Sequence, residues 1–402
     1  MCRYSIRAVR RALLLALPLA GLGVWLWTSA QLPGDTAQVP AASVFTRAQI
    51  DTAQDYRTAG YAITLAALAA QVLVAWLVAW RTRGRLGRFP AVITLAASAA
   101  VVQLAALPFG YALHRRAVEA GLDLQSDGAW LLDALVAAAV TTLAVTVVYL
   151  LARPLYRRWG SVAVALAAWL AVALFTLVQP IVVDPLFTST SPLPAGAART
   201  VAGLERRMHV HPASVTVADA STRTTAENAE VDGLGPTVRV VVDDTALHEP
   251  APAFRALIAH ELAHVQRSHT LEGVLWFGVI GVPAILLVLA AARRLHRGSL
   301  LGAEAAPTLV ACAVTAAVLL VPVQNLVSRR IESEADWVAL RTTRDPAGME
   351  LLQRRLALRD LSNPAPPRWA VWLLFDHPPV MQRIAVARAY GSSSSSSSSS
   401  SP

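Results

Sequence analysis

Seven apolar runs punctuate this chain, at residues 12–30, 59–80, 89–113, 129–152, 161–183, 273–292 and 305–327. Each approaches the roughly 20 residues that a helix needs to cross the hydrocarbon core of a bilayer. The pattern therefore predicts about seven transmembrane helices, five of them within residues 1–183 and two within 273–327. Polar residues gather in two further segments, 184–272 and 328–390. The expected fold class is a mainly α membrane protein whose polar domain, helices plus a small β-sheet, is assembled from those two segments.

Within the first polar segment, "DPLFTSTSPLPAG" is too rich in proline and serine for regular structure, and a polar helix is expected over 197–208. "TTAENAEVDGLGPTVRVVVDD" reads as two strands around a turn at 233–236, the second carrying the largely β-branched run 238–242. Pro252 suits the first turn of a helix that continues to about residue 268. The second polar segment opens with a helix continuing from the seventh run through 329–341. Residues 391–402, "GSSSSSSSSSSP", are low-complexity and expected to be disordered.

Composition supports lipid as the main surroundings: 55% of residues are hydrophobic and only 15% charged, against roughly 25% charged in an average soluble domain. A net charge of +9 raises nucleic acid as a partner, but the arginines sit at the ends of apolar runs rather than in a stripe with aromatics, which argues against it. Cys2 and Cys312 are too few and too distant for a disulfide framework or a cysteine metal site. Arginines crowd alternate connections: Arg3, Arg7, Arg10 and Arg11, then Arg81, Arg83, Arg85 and Arg88, then Arg153, Arg157 and Arg158, then Arg293, Arg294 and Arg297. The intervening connections carry only Arg47, Arg57, Arg115 and Arg116. The positive-inside rule puts the N-terminus of a multi-pass plasma-membrane protein in the cytoplasm and both polar segments on the opposite face. The first run is long for a signal peptide and is read as a retained anchor.

The candidate chemistry lies in "HELAH", residues 260–264. Residues four apart share a helix face, so His260 and His264 can present two imidazoles to one ion, with Glu261 beside the first. Zinc held by three protein ligands keeps an open position in which the pKa of water falls from 15.7 to about 7. A neighbouring carboxylate such as Glu261 can take that proton and return it to a leaving amine. The histidine that a metzincin carries six residues after its second ligand is missing, since Thr270 stands there. "SRRIESEADWVAL" offers Glu332 as third ligand on a second helix, with Asp336 one turn on to hold a ligand histidine's other nitrogen. Glu334 faces the other way and reads as a solvated charge. His248, His269 and Glu272 are rivals for the third position, each more simply read as an ordinary polar residue.

Taken together, His260-Glu261-x-x-His264, Glu332-x-x-x-Asp336 and "DHPPVMQRI" resemble the integral-membrane zinc endopeptidases of the CAAX prenyl protease 1 type, with the HtpX heat-shock proteases as cousins. The resemblance extends upstream to "PLFTSTSPLP" and "AENAEVDGLGPTVRVVVDDTAL" and covers most of the chain. It implies a metalloendopeptidase with one zinc ion per chain, acting on membrane-associated or unfolded polypeptides at a lipid bilayer, around a large intramembrane chamber. It also implies that Asn228 and Ala229 lie on an edge strand that holds the peptide extended. His377 and Arg383 would then stabilise the oxyanion or grip the peptide, although His377 before two prolines also suits a helix cap. Glu230 and Asp232 depart from the family pattern and point to a preference for basic substrates. Orientation departs too, because these relatives work on the cytoplasmic side. Nothing in the residues reports on prenyl chemistry. The rival from another class is a non-catalytic sensor or transporter braced by zinc. It lacks the expected internal repeats and mid-membrane charges, and Glu261 beside a ligand favours chemistry.

Overall fold

The computed structural model describes residues 2–184, 188–296 and 298–398. Residues 185–187 of the turn-rich segment, Arg297 and the end of the serine tail, 399–402, lie outside the described residues. Helices dominate: α1 (Cys2–Ser29), α2 (Arg47–Arg81), α3 (Ala91–Glu119), α4 (Asp127–Val182), α5 (Ala195–Met208), α6 (Ala251–Arg267), α7 (His269–His296), α8 (Ala306–Thr343), α9 (Pro346–Arg359), α10 (Arg368–Leu374) and α11 (Val380–Ser398). Four strands, β1 (Thr190–Pro192), β2 (Ser214–Ala218), β3 (Ala229–Asp232) and β4 (Arg239–Asp243), form one sheet.

Among the described residues, five helices are long and apolar enough to span a bilayer: α2, α3, α4, α7 and the one that includes α8. The fourth and fifth apolar runs both fall in α4, whose Gly160 at φ 79° breaks the helical backbone between them. Each arm still exceeds the roughly 20 residues needed for a crossing. The first run falls in α1. It lies along α7, where Trp27 packs edge-on to Trp276 at 6.5 Å. Leucines such as Leu73, Leu132, Leu170 and Leu287 stand more than half exposed, an apolar surface that suits hydrocarbon rather than water. The arginine-rich connection after α2 meets the one before α8, where Glu304 accepts hydrogen bonds from the backbone of Gly84 (2.7 Å) and Leu86 (2.6 Å).

At the other end, the sheet runs in the order β1-β2-β4-β3, with β2 parallel to β4 and the outer pairs antiparallel. The expected hairpin is present as β3 and β4. Gly233 sits at φ +93°, and a Cβ there would lie 2.3 Å from the carbonyl oxygen of Thr237, so the turn requires glycine. Val240 and Val242 of β4 pack with Ile258 and Leu262 of α6, Leu340 of α8 and Met349 and Leu352 of α9 in a core without solvent contact. Burial on this scale is worth about 1.5–3 kcal/mol per large aliphatic side chain. It locks α6 against α8.

Several expectations need correction. The proline- and serine-rich segment contains a strand: Thr190–Pro192 pairs with β2 at the sheet edge, where a proline's missing N–H costs no ladder bond. β2 itself was not expected. The helix expected to continue from the seventh run through 329–341 is present as part of α8. The serine tail, expected to be disordered, continues α11 as far as Ser398, since serine carries only a modest helix penalty once a docked helix leads into it. Glu334, read as a solvated charge, is 1% exposed; its face of α8 turns away from His260 and His264 but onto Arg267, His269 and the backbone of Gln31.

Candidate active site

Helix α6 begins behind Pro250 and runs one continuous turn pattern through the histidines. It carries His260 and His264 toward α8, whose polar extension carries Glu332 and Asp336. The imidazole Nε2 atoms of His260 and His264 are 3.2 Å apart. Glu332 Oε2 is 3.1 Å from His260 Nε2, and its Oε1 is 3.6 Å from His264 Nε2. One donor atom from each of the three residues lies within 4.8 Å of the others, and the 3.1 and 3.2 Å separations are close to the roughly 3.3–3.4 Å between donors held at 2.0–2.1 Å on the corners of a tetrahedron. The charges agree: Glu332 and Asp336 carry negative charge into a buried site that a cation would neutralise.

Each imidazole also has a second partner. His260 Nδ1 lies 3.0 Å from Asp336 Oδ1, and Arg383 forks onto that same carboxylate at 2.7 and 2.6 Å. The rings respond in opposite directions. Burial disfavours charge on His260, but the hydrogen-bonded carboxylates of Asp336 and Glu332 outweigh it and push the ring up to about 10. Burial and the neighbouring His260 push His264 down to about 3. Glu261, 6% exposed, is raised to about 8, chiefly by burial. A carboxyl so placed exchanges a proton near neutral pH, which suits a group that must accept one and give it back.

His377, in the connection between α10 and α11, points its Nε2 at Glu332 Oε2 across 3.3 Å, while its Nδ1 meets Asp376 Oδ1 at 3.0 Å. The ring thus faces the histidine cluster instead of the start of α11. Two nitrogens of Arg383 are committed to Asp336, although the side chain also borders the cleft. Asn228 is exposed and its carbonyl accepts from Asp243 N–H at 2.9 Å. Ala229 pairs with Val242, and β3 is the terminal strand of the sheet. A cavity of about 830 Å³ joins these groups to the spans: Asn228, His377 and Arg383 line it together with Tyr56, Tyr61 and Trp130.

Sequence reasoning missed one feature of the site. His269 Nδ1 stands 2.9 Å from His264 Nδ1, and His269, Glu272 and Glu334 converge nearby. The two histidines are five positions apart, which is off the helical face. Ser268 at φ 56° ends α6 in the left-handed conformation and swings His269 back beneath His264.

The sequence of residues 196–390 matches the model of peptidase family M48. The chain is also 24% identical over 302 residues to the uncharacterized metalloprotease YhfN of Bacillus subtilis (strain 168), covering 71% of this chain and 70% of that protein. These matches support a membrane metallopeptidase, with residues 196–390 similar to family M48. A CAAX prenyl protease 1 homolog of Oryza sativa subsp. japonica is 27% identical over 223 residues, 52% of this chain and about half (51%) of the rice protein. The fold matches a crystal structure of S. mikatae Ste24p with a TM-score of 0.70 at 15% identity, over 92% of this chain and 96% of that one. The resemblance read from the motifs stands, as does the mainly α membrane fold, and a non-catalytic sensor or transporter is not favoured. M48 metallopeptidases are in general zinc-dependent.

Proposed function

We propose that this metallopeptidase hydrolyses peptide bonds in membrane-associated or unfolded polypeptides with one zinc ion held by His260, His264 and Glu332. The observation that carries the assignment is the convergence of His260, His264 and Glu332, with the two Nε2 atoms 3.2 Å apart and the Glu332 oxygens 3.1 Å (Oε2) and 3.6 Å (Oε1) from them, beside buried Glu261. Bound zinc would supply Lewis acidity and bring the pKa of a water in its open position from 15.7 to about 7. Glu261 takes the proton from the attacking water and delivers it to the departing amine. His377 faces the position where negative charge develops on the carbonyl oxygen and donates to it. Asp336, clamped by Arg383, orients His260. The substrate backbone adds to the free edge of β3 at Asn228 and Ala229.

Glu230 and Asp232 on that strand, with Asp243 behind them, give the edge an acidic character that favours basic side chains near the scissile bond. The arginine distribution supports a plasma-membrane orientation with the N-terminus in the cytoplasm and the site on the opposite face. The test is zinc content and peptide cleavage of the detergent-purified chain. Wild type is expected to hold one zinc and cleave; Glu261→Gln to keep zinc and lose cleavage; Glu332→Ala to lose both. Cleavage by Glu261→Gln at the wild-type rate would refute the mechanism.

A further inference from the structure

A histidine that binds a metal through Nε2 has its other nitrogen available to be held, and what holds it sets its tautomer and basicity. For His260 that partner is Asp336. For His264 it is another histidine, His269, at 2.9 Å between the two Nδ1 atoms. We infer that His269 and Glu334 form a buried relay that orients His264 as a zinc ligand, an inference that rests on the zinc assignment above.

The proton positions follow from counting. His264 Nε2 faces His260 and Glu332, so when it ligates a metal the neutral ring carries its proton on Nδ1. That N–H donates to His269 Nδ1, which must then be the unprotonated nitrogen. A neutral His269 therefore carries its own proton on Nε2. This atom is buried and makes no hydrogen bond, and Glu334 Oε2 stands 3.6 Å away. A small ring rotation would close that gap to a hydrogen bond. Glu334 is held in place from its far side: its Oε1 accepts from Arg267 Nε at 2.6 Å and from the Gln31 N–H at 2.9 Å. The side chains of His269 and Glu334 are 3% and 1% exposed, so water does not screen the carboxylate from the ring.

The same residues suggest a competing arrangement, because ligand atoms of His269, Glu272 and Glu334 lie within 4.8 Å of one another, close enough to hold a second cation. The relay excludes it. A His269 that accepts from His264 has its proton on Nε2, the nitrogen a second metal would need, and Arg267 already engages one of the two Glu334 oxygens. Glu272 is engaged by Trp276 Nε1 at 3.1 Å. One zinc per chain and two zincs per chain are thus the signatures of the two arrangements.

The experiment uses full-length protein in detergent and measures metal content, zinc affinity against a competing chelator, the visible spectrum of the cobalt-substituted protein, and kcat and KM separately. With the relay, wild type binds one metal. His269→Leu weakens zinc about 10- to 100-fold and shifts the cobalt bands. Glu334→Gln, nearly isosteric, produces a smaller shift in the same direction and keeps the fold if His269→Leu does not. In both variants kcat falls while KM holds, since no substrate contact is lost. His269→Gln, whose amide oxygen can accept from His264, recovers part of the affinity, and Glu272→Gln behaves as wild type. Two metals in wild type, or unchanged zinc affinity and cobalt spectrum in both His269→Leu and Glu334→Gln, would overturn the relay while leaving the zinc site intact. A wild type that binds no zinc would overturn the zinc assignment itself and the relay with it.

Discussion

Arg383 contacts no proposed ligand, yet its removal should loosen the metal. Its guanidinium meets Asp336 at 2.7 and 2.6 Å, with side-chain exposures of 12% and 5%, and Asp336 alone joins it to His260. Arg383→Met leaves Asp336 buried without its counter-charge, and Asp336→Asn leaves His260 without a carboxylate. Loss of such a partner typically costs 10–100-fold in metal affinity, or about 1.4–2.7 kcal/mol. If Arg383 acts through Asp336, the double variant should lose little more than the larger single loss, giving a coupling of about 1–2.5 kcal/mol. Zinc dissociation constants for the four proteins, measured by chelator competition, complete the cycle. Losses that add to within about 0.5 kcal/mol, the range for independent sites, would refute the chain from Arg383 to His260 and return Arg383 to a direct role at the peptide.

Three other outcomes follow from the geometry. Gly233→Ala places a methyl 2.3 Å from Thr237 O at φ +93° and should cost about 2–5 kcal/mol, read as a lower unfolding temperature and a raised KM; an unchanged KM would separate the hairpin from substrate binding. Glu227, raised from 4.5 to about 7 by burial and by Glu249, keeps a proton that the unfolded chain releases. Arg359, 2.6 Å away, opposes the shift; the stability that Glu227 carries is present below pH 4.5 and lost as pH rises through about 7; Glu227→Gln should flatten that part of the stability profile, and a profile identical to wild type contradicts the assignment. Glu230→Ala should weaken any preference for basic residues across a peptide library, and an unaltered cleavage profile removes the acidic edge as a determinant.

Much of this fold was legible because its strongest signals are one-dimensional. Apolar runs of membrane length mark helices whatever their neighbours, and Gly233 and the valines after it mark a hairpin by turn chemistry and β-branching. Glu332 and Asp336 were found because helical spacing projects them to one face. What escaped depends on packing between distant segments. β2 is a short strand whose identity comes from lying parallel to β4, 25 residues later in register (Ser214 opposite Arg239). Helical spacing turns Glu334 from His260 and His264, but no periodicity reveals that Arg267, His269 and Gln31 wait on its other side. His269 depends on a left-handed Ser268, a conformation that a non-glycine residue seldom adopts and its sequence does not announce.

The membrane and the chemistry share one piece of backbone. α8 runs from Ala306 to Thr343, with the seventh apolar run in its first part and Glu332 and Asp336 just beyond it. At 1.5 Å per residue, Glu332 stands only about 7 Å past the end of that run. The proposed metal ligand is therefore fixed at the membrane surface by the same packing that seats the span. The cavity beside it is walled on one side by Tyr56, Tyr61 and Trp130 of the spans and on the other by Asn228, His377 and Arg383. This cavity borders both the membrane helices and β3, the terminal strand of the sheet. If the proposed site is the active one, its position favours segments that emerge unfolded at the bilayer face over the interior of a folded soluble domain.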